Sequence, residues 1–94
     1  MLASIIITSY NYGNYIERCL RSCLNQTLSS RKYEIIIIDD KSTDNTKEVV
    51  KPFLNNKNIR YIRNKINIGC AASANKGFKA AKGKYIVRVD ADDY

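Results

Sequence analysis

The chain has 94 residues, enough for one small domain near the lower end of independently folding sizes. Its apolar share of 45% excludes a disordered or fibrous chain, and no apolar run approaches the roughly 18 residues of a bilayer span. Sixteen basic against nine acidic residues give +7, but the surplus is dispersed over Arg18, Arg21, Lys47, Lys51, Lys76, Lys79 and Lys82, outer positions of three helix candidates. That is the pattern of a solvated face, not of a stripe tracking phosphates, so no nucleic-acid partner is expected.

The start, Met1-Leu-Ala-Ser-Ile5, lacks the basic region and long apolar core of a secretory signal, so a cytoplasmic setting is expected. Three cysteines, Cys19, Cys23 and Cys70, are an odd number, and no histidine accompanies them. Free thiols, two of them sharing one helix face, fit better than a disulfide framework or a zinc site.

Taken in order, Ser4-Ile-Ile-Ile-Thr8-Ser-Tyr10 is a β-branched run without alternation, a strand covered on both faces. Asn11 to Asn14 is turn chemistry. Asn14 can cap the following helix with Glu17 returning the bond, and Ile16, Cys19, Leu20, Cys23 and Leu24 form its apolar stripe to about Gln26. Tyr33 to Asp40 is a second strand whose four isoleucines predict a central place in a parallel sheet. Asp44 is a candidate N-cap for a helix carrying Val49, Val50 and Phe53, which Pro52 should kink or end early. Ile59 to Arg63 alternates like an edge strand. A third, alanine-rich helix spans Cys70 to Lys82, with Gly83 as its stop.

The last strand, Tyr85-Ile-Val-Arg-Val-Asp90-Ala-Asp92-Asp93, ends in three carboxylates within four residues. Alternation sets Asp90 and Asp92 on one side of an extended backbone, where they can hold a hard divalent cation or simply form an acidic turn. The order β-α-β-α-β-α-β predicts an α/β fold: a doubly wound, Rossmann-like parallel sheet in the order 3-2-1-4, with helices on both faces. Thr8 to Asn11, Asp39-Asp40 and Asp90 to Asp92 would then line one rim, where such sheets bind ligands.

With these residues assembled, Ser4-Ile-Ile-Ile-Thr-Ser-Tyr-Asn11, Ile38-Asp-Asp-Lys-Ser-Thr-Asp44, Asn67-Ile-Gly69 and Ala80 to Asp93 resemble the nucleotide-binding half of a family 2 glycosyltransferase with the GT-A fold. The resemblance covers residues 1–94 and implies a nucleotide-sugar donor, most often a UDP-sugar, bound with Mn2+ or Mg2+ for inverting transfer. It implies base contacts for Thr8 and Tyr10 and a hydrogen bond from the uracil ring nitrogen to Asp40. Asp92 would be the main metal ligand, with Asp90 near the ribose or the ion. Asp39 is open between ligand contact and bracing the adjacent loop. It also implies that the catalytic base and the half binding an acceptor sugar, lipid or protein lie beyond Tyr94. The full-length protein would then work at the inner face of a membrane or in the cytoplasm. Ala74 stands where many relatives have arginine, which weakens the case for a basic diphosphate contact from the third helix; Lys76 is nearby, but spacing alone does not promote it.

Two other classes fit parts of the pattern. A receiver-like signalling domain also gathers acids at strand ends, but puts its acidic pair after the first strand, which here ends in Thr8-Ser9-Tyr10. A non-catalytic nucleotide-binding or interaction module of the same fold is the other. The last strand, rich in apolar residues, is expected to form an open edge prone to self-association.

Overall fold

The computed structural model describes residues 2–11, 13–24 and 32–90. Strand and helix alternate through β1 (Ala3–Ser9), α1 (Gly13–Leu24), β2 (Tyr33–Asp39), α2 (Thr46–Val50), β3 (Ile59–Arg63), α3 (Cys70–Ala80) and β4 (Tyr85–Asp90). All strand pairs are parallel and the order is β3-β2-β1-β4, as the sequence predicts.

β2 explains the layering. Ile35, Ile36, Ile37 and Ile38 are each 0% exposed, and consecutive side chains point to opposite faces, so the strand needs cover on both sides. On one face Ile5, Ile7, Ile35 and Ile37 cluster with Ile16, Cys19, Leu20 and Cys23 of α1. On the other, Ile6, Ile36 and Ile38 meet α3. The helix comes close because Gly77 has no side chain: a Cβ there would lie 2.4 Å from Ile6 Cγ2. None of the three cysteines is in a disulfide; Cys19 and Cys23 are buried and Cys70 is exposed.

The connections depart from the sequence reading at Asn14, Asp44 and Gly83 and follow it at Pro52. α1 starts at Gly13, so Asn14 lies inside its first turn, and the Gly13 N–H is met 3.0 Å away by Asp44 Oδ2 from the next loop. Asp44 is not the N-cap residue of α2, which is Asn45, although its Oδ1 does accept the Thr46 N–H at 3.0 Å. One carboxylate therefore serves the starts of two helices. α2 ends at Val50, and Phe53 sits in a 3-10 turn over Lys51–Asn55, the early end that Pro52 predicts.

α3 stops at Ala80 with Ala81 extended (φ −70°, ψ 137°), so Gly83 is not its stop. A Cβ on Gly83 would lie 2.5 Å from the backbone of Ala3 and Ser4, and its N–H donates to Ser4 Oγ at 2.7 Å. Close approach to β1 is what the position requires. β4 is an edge strand, with Tyr85, Ile86 and Val87 59%, 47% and 50% exposed. No helix among the described residues is long and apolar enough to cross a membrane.

Candidate functional site

At the carboxyl end of the sheet two loops are tied together before any cleft forms. Asn11 takes a left-handed φ of 55°, a conformation asparagine tolerates better than most residues. Its Oδ1 accepts the Thr43 and Asp44 N–H groups at 2.7 and 3.2 Å, and its own N–H donates to Ser42 Oγ at 2.9 Å. The β1–α1 and β2–α2 connections thus form one braced wall.

Strand parity then sorts the acids. Thr8 pairs in register with Ile38 and with Asp90, which puts Thr8, Asp40 and Asp90 on the side of the sheet that α3 covers. Asp39 falls on the other side and is 0% exposed. Its Oδ1 accepts the Ser42 N–H at 2.9 Å and the Ser42 hydroxyl, and its Oδ2 accepts the Tyr61 hydroxyl. Burial and this carboxylate push the Tyr61 phenol well above its ordinary value. Asp39 braces the loop.

A cleft of about 370 Å3 opens between β1, β4 and the start of α3, lined by Thr8, Ser9, Tyr10, Asp40, Asn67, Gly69, Cys70 and Asp90. Four of the residues that the sequence singles out, Thr8, Tyr10, Asp40 and Asp90, meet there. Tyr10 is 45% exposed. The Thr8 hydroxyl donates to Asp90 Oδ1 at 2.8 Å, and Arg88 approaches the same oxygen at 3.5 Å. Asp92, the other half of the D-x-D, lies outside the described residues.

Asp40 is 4% exposed and held from one flank. Oδ1 accepts the Ile68 N–H at 2.7 Å and Asn64 Nδ2 at 3.0 Å, and Oδ2 accepts the Gly69 N–H at 2.8 Å. Two successive amides thus converge on one carboxylate, and Gly69 then takes a φ of 89°, open to glycine at little cost, as the chain enters α3. Burial pushes the Asp40 carboxyl up, but the Ile68, Asn64 and Gly69 donors outweigh it and hold it below its ordinary value.

Sequence reasoning missed Asn64. It is 2% exposed, donates also to Ser73 Oγ at 3.0 Å, and receives Lys76 Nζ at 2.9 Å on Oδ1. Nothing in Asn64-Lys-Ile-Asn67 separates a buried asparagine from a turn asparagine, so no local signal was available. Ala74 is 1% exposed and packed inward, so the position replacing arginine brings no charge to the cleft.

A family model described as "Glycosyl transferase family 2" matches residues 4–94. The chain is 48% identical over 94 residues to a chondroitin synthase of Pasteurella multocida, covering 99% of this chain and 9% of that protein. The crystal structure of S. aureus TarS in complex with UDP-GlcNAc superposes with a TM-score of 0.95 at 33% identity, covering 100% of this chain and 27% of that one. The mannosyltransferase PcManGT from Pyrobaculum calidifontis, in complex with GDP-Man and Mn2+, gives 0.89 at 26% identity over 96% of this chain and 27% of that one. The chain thus spans a small part of the length of the proteins it matches.

Proposed function

Because this chain belongs to glycosyl transferase family 2, we propose that it is the donor-binding part of a glycosyltransferase that takes a nucleotide-sugar together with Mn2+ or Mg2+ for inverting transfer. The observation that carries the reading is the convergence of Thr8, Tyr10, Asp40 and Asp90 on one cleft at the carboxyl edge of the sheet. Two similar structures bound to nucleotide-sugars, UDP-GlcNAc in one and GDP-Man with Mn2+ in the other, support the ligand class. The family match sets aside the receiver-like alternative.

Uridine is the preferred base on the chemistry of Asp40. An ionised carboxylate only accepts, and Oδ2 has one donor where it can take two, so it suits the N3–H of uracil and repels the unprotonated N3 of cytosine. The half-exposed Tyr10 ring supplies a stacking surface. Asp90, its side chain 45% exposed and oriented by the Thr8 hydroxyl, has the donor chemistry of a hard-cation ligand. Among the described residues no group of three or more candidate ligands exists, so Asp92 and diphosphate oxygens would complete the ion's shell. Bound there, the ion would supply charge stabilisation for the departing diphosphate.

Among the described residues at the two sheet ends no carboxylate suits the base for an acceptor hydroxyl: Asp39 is committed to internal donors, Asp40 is assigned to the nucleotide base, and Glu34 lies at the opposite end of the sheet. The proposal therefore takes that base from the part of the protein beyond residue 94. Calorimetric titration with UDP, with and without Mn2+, tests the proposal. Tightening of at least tenfold with Mn2+, lost in Asp92→Asn, is expected. Cys70 is the one exposed cysteine and lines the cleft, so bound UDP should also slow its alkylation. Binding indifferent to metal and to Asp92→Asn would overturn the metal-linked reading, and metal-linked binding without sugar transfer by the full-length protein would favour a binding module.

A further inference from the structure

Asn64 sits behind Asp40 with every side-chain group spoken for. Nδ2 donates to Asp40 Oδ1 and to Ser73 Oγ, each at 3.0 Å, and Oδ1 accepts Lys76 Nζ at 2.9 Å. An amide can be turned over, exchanging its nitrogen and oxygen, but here only one orientation is compatible with its neighbours. A lysine ammonium can only donate and an ionised carboxylate can only accept. Lys76 therefore fixes the oxygen outward and delivers an N–H to Asp40. Turned over, the amide would face oxygen to carboxylate and N–H to ammonium, two repulsive contacts in a site where Asn64 is 2% exposed.

We infer that Asn64, oriented by Lys76, is a positioning residue that keeps Asp40 aimed and ionised as an acceptor, and so sets the base selectivity of the cleft. The inference rests on the donor reading above. Asn64 is joined to the cleft on the backbone side too, since its N–H bonds Asp39 O at 2.8 Å at the end of the ladder between β2 and β3. A shift of Asn64 is thus transmitted to the strand end that carries Asp40. The charged and titratable groups around Asp40 are Lys76 behind Asn64, Asp39 beside it on the opposite face, and Tyr10, Cys70 and Asp90 along the cleft. Asn64 supplies one of the three donors holding the carboxyl low, so without it Asp40 takes up a proton at a higher pH. A protonated Asp40 would present an O–H to the base, and cytosine N3 accepts where uracil N3–H cannot.

The test is the ratio of UDP to CDP affinity in the presence of Mn2+, measured from pH 4 to pH 8. The wild type should prefer UDP, with the ratio steady from neutral pH down to about 5. Asn64→Ala should lower the ratio about tenfold, and the fall should set in at a higher pH than in the wild type. A merely structural role would weaken both nucleotides alike and leave the ratio and its pH profile unchanged. If Asn64→Ala does not fold, Lys76→Met, which keeps the amide but frees its orientation, should lower the ratio about threefold. An unchanged ratio in the folded variants overturns the inference alone. A wild type that binds neither nucleotide, or both equally, overturns the base assignment to Asp40 and the inference with it.

Discussion

At the amino end of the sheet Glu34 is enclosed. Its Oε1 faces Arg60 Nη2 at 3.0 Å, and its Oε2 accepts the Ser4 hydroxyl at 2.6 Å and the Lys82 N–H at 2.7 Å. The same guanidinium bonds Ala80 O at 2.7 Å, where α3 ends. At the carboxyl end Asp40 also takes three donors, but all come from the segment leading into α3, and the other flank opens on the cleft. One carboxylate is closed by a cation and by two chain segments from opposite sides. The other is braced from behind by neutral amides and faces space. Burial of a carboxylate alone therefore does not mark a ligand site; a one-sided donor shell does.

The largest effect expected from this contrast is on stability, at the enclosed end. Glu34→Ala leaves Arg60, the Ser4 hydroxyl and the Lys82 N–H without their acceptor, which should cost about 2–3 kcal/mol, less than for a fully buried pair because Arg60 is part-exposed. Urea denaturation measures it, and UDP affinity of the folded variant should stay within about twofold. Acid sharpens the same point. Burial pushes the Glu34 carboxyl up, but Ser4, Lys82 and Arg60 together hold it below its ordinary value of 4.5. A carboxyl that ionises more readily in the folded chain adds stability in full above the unfolded value, and loses it as pH falls through the folded one. The wild type should therefore weaken progressively below about pH 4.5, and Glu34→Ala should flatten that decline. A variant that keeps its stability but loses UDP would erase the distinction between the two ends.

The sheet's two edges differ in a similar way. β3 is partly covered, whereas β4 shows Tyr85, Ile86 and Val87 to solvent beside unpaired backbone groups. We expect the 94-residue chain to self-associate through this edge, and Val87→Lys to shift it toward monomer in sedimentation at equal concentration. Association unaffected by Val87→Lys would place the contact elsewhere.

What the sequence made legible is what depends on neighbours a few residues apart. Four isoleucines in a row require cover on both faces wherever they occur, and helical crossovers between such strands leave few sheet orders. Asp39 stayed open between ligand contact and bracing the loop, because choosing needs the register of β1 on β2, a relation between residues some thirty positions apart. Asp44 reads locally as a cap for its own helix, yet its second oxygen caps α1, far earlier in the chain. Gly83 looks like a helix stop because it follows one, while its actual constraint is the backbone of β1. Asn64 carried no signal at all, since its partners Asp40, Ser73 and Lys76 are gathered by the fold. Polar partners brought together across the chain are invisible until the register is known.

The smallest expected effect lies at the open end and tests the contrast most closely. Thr8 is 4% exposed, and its hydroxyl gives Asp90 Oδ1 a donor at 2.8 Å. Thr8→Val keeps the shape and removes the donor. Asp90 is half-exposed, so water can replace the lost bond, and Arg88 still approaches the same oxygen at 3.5 Å. Stability should therefore fall by less than about 1 kcal/mol, the worth of an ordinary hydrogen bond. What changes is the aim of Asp90 across the cleft, and an unaimed ligand costs affinity only when the ion is present. The Kd for UDP with Mn2+ should rise about three- to fivefold, and more than the metal-free Kd, which reads only a contact of the Thr8 hydroxyl with the base. In the Asp90→Asn background the same substitution should add almost nothing, because the group it positions is already gone. A stability loss above about 2 kcal/mol, with metal-linked binding intact, would mean that the Thr8–Asp90 pair is built like the Glu34 cluster and holds the sheet together instead of a ligand.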